Sequence, residues 1–271
     1  MSISDQRVIY NGLDISTQVD DFRSKNALFG YETGQYLYIG SLLPFNNFWL
    51  DMQVANTIDS AVSIDIWWGN SWVSAVDIID ETSGFKFTGR VNFNTNRLSS
   101  WDLEQTSKDV VGLTTFEIYW KYWIRISFSA NFSASSAIKY IGQKFSNDDI
   151  LYSYYPDLAV SSTLDSFETG KTTWDEQHYM AADHIISDLK KRNIIKSKFQ
   201  IMDYSLFTEA SCHRIAEMVY IAFGSPYFDQ LIEAKKSYKE AMNLKFFDVD
   251  LNKDGSLSPV ERNFSSSFMR R

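Results

Sequence analysis

The hydrophobic period of this chain changes partway along, and that change limits the folds open to it more than any single residue does. In the first part, Tyr36-Leu-Tyr-Ile-Gly-Ser, Phe48-Trp-Leu-Asp-Met-Gln-Val, Ser63-Ile-Asp-Ile-Trp-Trp, Gly89-Arg-Val-Asn-Phe and Tyr122-Trp-Ile-Arg-Ile-Ser are short β-branched and aromatic runs, several alternating apolar with polar. Such runs suit pleated, half-buried strands. Gly69-Asn70, Ser83-Gly84 and Leu43-Pro44-Phe45-Asn46-Asn47 supply turns between them. Short strands with turns at this spacing, and no helical period between them, predict an antiparallel β-sandwich over residues 1–150. Trp49, Trp67, Trp68, Trp72, Trp101, Trp120 and Trp123 all fall there, leaving only Trp174 beyond. Trp67 and Trp68 are adjacent in one predicted strand, so their rings point to opposite faces and at least one is expected in the core.

Residues 151–172 read as a connecting segment. After it the period becomes helical. Thr173-Trp-Asp-Glu176 has the spacing of a capping box. Trp174, Ala181, Ile185 and Leu189 recur at helical spacing, and Lys190, Lys191 and Arg192 suit the negative end of a helix dipole. A helix over 174–192 is predicted. A second is expected over 205–223, with Leu206, Cys212, Ile215, Val219 and Phe223 on one side and Gly224 as its stop. A third begins at Ser225-Pro226 and carries Phe228, Leu231, Ile232, Tyr238 and Met242. The fold class is therefore α+β, an N-terminal antiparallel β-sandwich followed by a three-helix bundle over 173–246, with residues 247–271 as a loop and tail.

Composition excludes other classes. The chain is 44% apolar and 16% aromatic with 4 Pro and 1 Cys, which fits neither disorder, nor collagen, nor a disulfide scaffold. The single Cys212, between apolar neighbours, reads as a small buried hydrophobe. No basic-then-apolar leader opens the sequence and no apolar run approaches a membrane span, so neither a signal peptide nor membrane insertion is expected. A net charge of −8 disfavours a protein that grips phosphate backbones.

One motif carries specific chemistry. Asp250-Leu-Asn-Lys-Asp-Gly-Ser-Leu-Ser-Pro-Val-Glu261 matches the EF-hand calcium loop at each diagnostic position. Asp250, Asn252, Asp254 and Ser258 place oxygens at positions one, three, five and nine, Gly255 permits the sharp turn, Ser256 offers its carbonyl, and Glu261 chelates with both oxygens. A hard cation needs such converging oxygens. Phe246 and Phe247 before it suit an incoming helix. With few residues after Glu261 and no second hand to pair with, a structural Ca²⁺ staple is expected, not a sensor.

Other patterns are weaker. Gly170-Lys-Thr-Thr173 invites a phosphate-loop reading, but Asp165 stands where the first glycine belongs and no buried strand leads in. His178 and His184, six apart, point away from one another on a helix and do not share a metal there. No nucleophile elbow or His-Glu-x-x-His is present, and carboxylate pairs such as Asp148-Asp149 are common in solvated turns. Nothing in the sequence demands an enzyme. The tryptophan-rich sandwich leaves an alternative open, a carbohydrate-binding or appendage module whose rings hold sugars by stacking.

The C-terminal part resembles the head-to-tail connector (adaptor) proteins of tailed bacteriophages. The resemblance rests on the helix from Trp174 ending in Asp-Leu-Lys-Lys-Arg-Asn193, the stretch Ala216-Glu-Met-Val-Tyr-Ile-Ala-Phe-Gly224 and the helix Asp229-Gln-Leu-Ile-Glu-Ala-Lys-Lys-Ser-Tyr-Lys-Glu-Ala-Met242. The N-terminal part, with Pro44-Phe45 and Trp67-Trp-Gly-Asn-Ser-Trp72, is similar to β-sandwich segments of phage virion proteins. The sandwich and the calcium loop depart from a minimal all-helical adaptor. The resemblance implies a virion protein of the neck, made in the host cytoplasm. It would form a homododecameric ring that docks on the portal protein, meets tail or neck proteins, and extends a channel through which double-stranded DNA passes without specific binding. The acidic balance suits such a channel. By the family's example the C-terminal segment meets the portal, and Phe264, Phe268, Met269, Arg270 and Arg271 are the expected contacts.

Overall fold

The computed structural model describes residues 5–23, 26–68, 71–94, 101–104, 120–243, 246–247 and 264–265. In chain order the strands and helices begin with β1 (Gln6–Tyr10), β2 (Leu13–Asp14), α1 (Ser16–Val19), β3 (Ala27–Leu28), β4 (Leu37–Ser41), β5 (Asn47–Val54) and β6 (Val62–Trp68). β7 (Ser71–Ser74), β8 (Val76–Asp80), β9 (Gly89–Asn94), β10 (Tyr122–Phe128) and β11 (Ala137–Gly142) complete the strand-rich part. Then follow α2 (Asp148–Tyr154), α3 (Ser161–Phe167), α4 (Asp175–Lys191), α5 (Thr208–Phe223) and α6 (Phe228–Ala241), and last β12 (Phe246–Phe247) and β13 (Phe264–Ser265). The protein is α+β. The described residues divide into two compact units, one running to Gly142 and taking in Ser197–Met202, the other holding Gln143–Lys196 and the residues from Asp203 onward.

In the strand unit, one antiparallel sheet has the order β2-β1-β4-β10-β6-β7 and a second has the order β3-β11-β5-β9-β8. Alternation along each strand divides its side chains between two faces. Val8, Leu37, Ile39, Ile64, Ile66, Ile124 and Ile126 from the first sheet and Phe48, Leu50, Val91 and Ile141 from the second join one apolar cluster. Phe29 sits among Tyr10, Tyr31, Phe85, Phe128 and Phe132, with ring centroids 4.5 to 6.3 Å away. The Ser83-Gly84 turn is real. Ser83, Gly84 and Phe85 all take positive φ, and a Cβ on Gly84 would lie 2.0 Å from the Ser60 carbonyl oxygen.

The opposite face of the first sheet is paved differently. Trp67 is cross-strand from Trp72 in β7, and Ile9, Trp67 and Trp123 form a separate cluster with Tyr38 and Trp72 against it. Trp123 is fully buried, and its indole Nε1 donates to Glu104 at 3.0 Å. Its ring lies over Gly40, its cross-strand partner, where a Cβ would meet ring atoms at 2.8 Å. A glycine in the middle of a strand is explained by that approach.

In the helical unit, α5 packs against both α4 and α6. Ala181, Ile185 and Leu189 are buried on α4, as their spacing predicted, and Gly224 ends α5 with φ +75°. Three local expectations change. Residues 151–172 are not a plain connector: most of α2, a 3₁₀ turn at Pro156–Ala159 and α3 occupy them, and Leu151, Leu158 and Leu164 enter the unit's core. Helices of 7 residues are too short for a period to declare itself. The Thr173–Glu176 capping box does not form. Trp174 occupies the cap position without a side-chain cap bond, and its backbone amide instead meets the Asp148 carboxylate at 3.2 and 3.3 Å. Finally, Phe246 and Phe247 end no helix. α6 stops at Ala241, and the two phenylalanines form β12, paired antiparallel with β13, in keeping with their strand preference.

Candidate functional site

The calcium loop, with Asp250, Asn252, Asp254, Ser256, Ser258 and Glu261, lies outside the described residues, as do Phe268, Met269, Arg270 and Arg271. What the structure adds is the flanking ladder. Phe247 pairs with Phe264 and Phe246 with Ser265, so the chain on either side of the loop motif is brought side by side. A ladder takes the place of the expected entering helix. Among the described residues no group of three or more His, Cys, Asp or Glu side chains converges on a metal position.

The helical unit presents uncovered apolar side chains. Phe228 and Ile232, 59% and 51% exposed, are one turn apart on α6, and Ile221 on α5 is 53% exposed. Residues four apart share a helix face, so Phe228 and Ile232 make one apolar patch. Elsewhere this unit is tied by polar contacts: Arg192 donates to the Met242 carbonyl at 2.8 Å, and the Tyr238 hydroxyl donates to Asp188 at 2.7 Å. Lys171 of the rejected phosphate-loop pattern is engaged with Glu168 at 3.2 Å and lies over the Phe167 and Trp174 rings.

Sequence reasoning missed a buried chain of polar groups. Ser146 Oγ lies 2.7 Å from His178 Nδ1, His178 Nε2 lies 3.0 Å from an Asp148 oxygen, and Ser146 Oγ also lies 2.7 Å from Ser211 Oγ. Burial pushes the His178 imidazole below its ordinary range, outweighing the pull of Asp148 in the other direction. The ring is then neutral at pH 7, with Nε2–H donating to Asp148 and Nδ1 accepting the Ser146 hydroxyl. A hydroxyl, an imidazole and a carboxylate in a row is the arrangement that activates a nucleophile. Here Ser146 is 5% and His178 0% exposed, so the hydroxyl is closed to substrate and the chain instead links the residues just before α2 to α2, α4 and α5. Asp148, read in the sequence as half of a solvated pair, is its terminus. No spacing signal could have found it, because its members come from separate elements. Beside it, burial raises the Cys212 thiol to about 12, in keeping with a packing role.

On the same face of the first sheet as Trp123, Arg125 is cross-strand from both Tyr38 and Asp65. Its guanidinium donates to Asp65 at 2.8 Å and lies 4.3 Å from the Tyr36 ring centre and 4.9 Å from that of Trp72. Ser74 adds a hydroxyl to Asp65 at 2.8 Å. The row combines ring faces with polar groups and is half-exposed.

No protein-family model matches the sequence, and comparison with curated proteins found no match. Among solved structures, one described as CpGH89CBM32-6 produced by Clostridium perfringens is 14% identical, covers 51% of this chain and 90% of its own, and has a TM-score of 0.28. A likeness at that level carries no argument about function. No helix among the described residues is long and apolar enough to cross a membrane.

Proposed function

We propose that this chain is a structural component of the tailed-phage neck, a connector ring built from copies of itself that docks on a portal and continues the DNA channel. The observation that carries the reading is the uncovered apolar turn of α6, Phe228 with Ile232, which fits a second copy of the chain as its cover. Apolar groups exposed together on a folded surface mark contact sites more often than scattered ones do. In this reading the two antiparallel sheets, sharing one apolar cluster, are the layers of a β-sandwich, and α4, α5 and α6 form the adaptor-like bundle. The oxygen-rich donor set of residues 250–261 suits a hard divalent cation, and calcium held there would fasten the tail beyond the β12–β13 ladder for docking on the portal. Phe228→Asp with Ile232→Asp is expected to convert the assembly to monomers while leaving the melting temperature of the fold in place. Unchanged assembly would refute the role given to this face. For the calcium part, unchanged melting on chelation and no heat on titration with millimolar calcium would refute it.

The half-exposed Tyr36–Arg125–Trp72 row favours a second reading, a carbohydrate-binding or appendage-attachment module on the same virion. Glycan binding by the chain, lost on Trp72→Ala, would support it; binding indifferent to that substitution would not.

A further inference from the structure

A cavity of about 320 Å³ opens in the helical unit between α2, α5 and α6. Its walls are rings. Tyr155 stands edge-on to Tyr220, centroids 6.1 Å apart at 70°, and to His213 at 5.8 Å and 88°, while Tyr154 meets His213 at 5.7 Å and 82°. The polar ends of Tyr155, His213 and Tyr220 are already engaged. The Tyr155 hydroxyl lies 2.7 Å from His213 Nδ1, His213 Nε2 lies 3.3 Å from Glu209, and the Tyr220 hydroxyl donates to Asp157 at 2.8 Å. Ring residues and polar side chains together line the space. From α6 come Gln230, Glu233 and Ser237, whose spacing of three and four puts them on one helix face.

The carboxylates at this space are several. Glu233 lines it, Glu209 and Asp157 stand behind its rings, and no Lys or Arg is among the lining residues. The tyrosines register that field. Burial first, then a set of neighbours that includes Glu233, Asp157 and Glu209, raises the Tyr155 hydroxyl. Burial and Asp157 raise Tyr220, and burial and Glu209 raise Tyr154.

We propose that this cavity binds an organic cation, an alkylammonium or quaternary ammonium group held against tyrosine faces and facing Glu233. Ring faces carry negative charge density and attract such cations, and the carboxylates exclude anions. A bare metal ion is the wrong guest, since ring carbons offer no ligand atoms and one carboxylate in the wall is too few oxygens. The volume is at the lower end of the range for ligand sites, which suits a headgroup-sized ion. That chemistry is carried both by free ammonium compounds and by the lysine side chains of proteins. The inference is independent of the connector reading, because it concerns one copy of the chain.

The test is titration of the full chain with choline, with 3,3-dimethylbutan-1-ol as its uncharged isostere, and with Nα-acetyl-lysine amide, followed by saturation-transfer NMR and calorimetry. Choline or the lysine amide should bind, with the isostere about tenfold weaker, and whichever cation is tighter identifies the source. Glu233→Gln and Tyr154→Ala, both at exposed positions, should each weaken the cation about tenfold with melting unchanged. Binding of neither cation, equal binding of the isostere, or cation binding indifferent to Glu233→Gln would overturn the proposal.

Discussion

The two units solve the burial of large side chains in different ways. In the strand unit, rings are set mainly against rings and against places where a side chain is missing: Phe29 inside its aromatic cluster, and Trp123 over Gly40 with a single polar tie to Glu104. In the helical unit, buried rings and imidazoles are tied by their polar ends to carboxylates, as in His178 to Asp148, Tyr220 to Asp157 and Tyr238 to Asp188. All three histidines, His178, His184 and His213, lie in the helical unit. The first unit is therefore specified mainly by shape, and the second owes more to the protonation and pairing of particular groups. Changes of volume should fall hardest on one and changes of pH on the other.

The largest expected effect tests shape. Trp123→Ala removes a fully buried indole and should cost about 3–5 kcal/mol by denaturant titration. Gly40→Val should cost about 1–3 kcal/mol, because the new side chain meets the indole and one of them must move. Hydrogen exchange should show the loss confined to the strand unit; loss of protection in α4 and α5 instead would break the comparison. Next, Asp148→Ala leaves both the His178 ring and the Trp174 amide without their acceptor and should destabilise the helical unit by about 2–3 kcal/mol.

The pH prediction follows with a definite sign. His178 and His184 are both held below the usual 6.5, chiefly by burial. The unfolded chain therefore takes up protons that the fold refuses as pH falls through 6.5, so stability is full above that value and is lost below it. Exchange protection in α4 and α5 should fall between pH 7 and pH 5.5 before that of β4 and β10, and His178→Phe should flatten the slope. Equal sensitivity of both units would contradict the account. The smallest effect is Tyr238→Phe, which removes one hydrogen bond to Asp188 and should cost about 1 kcal/mol.

How much of this was legible depends on whether a feature is local. β4, β5, β6, β9 and β10 carry long β-branched and aromatic runs, and their positions follow from alternation. α4 and α5 follow from period, and the start of α6 from Ser225-Pro226. Two-residue strands such as β2 and β3 leave no period to read. α2 and α3 escaped for the same reason, hidden in a segment whose serines and proline look like a linker. The Thr173 capping box failed because Asp148, far away in sequence, supplies the acceptor. The Ser146–His178–Asp148 chain and the tyrosine cavity are assembled from elements whose proximity only the fold creates. The loop pattern of residues 250–261 lies outside the described residues, and the strand pair flanking it was not legible, since Phe246-Phe247 suits either a helix or a strand.

The central claim is self-assembly through the helical unit. Native mass spectrometry of the full chain with calcium present tests it most directly. The account predicts a closed ring of many copies of the 31.3 kDa chain, reduced to single copies by Phe228→Asp with Ile232→Asp; a stable monomer of the unaltered chain at the same concentration would contradict it.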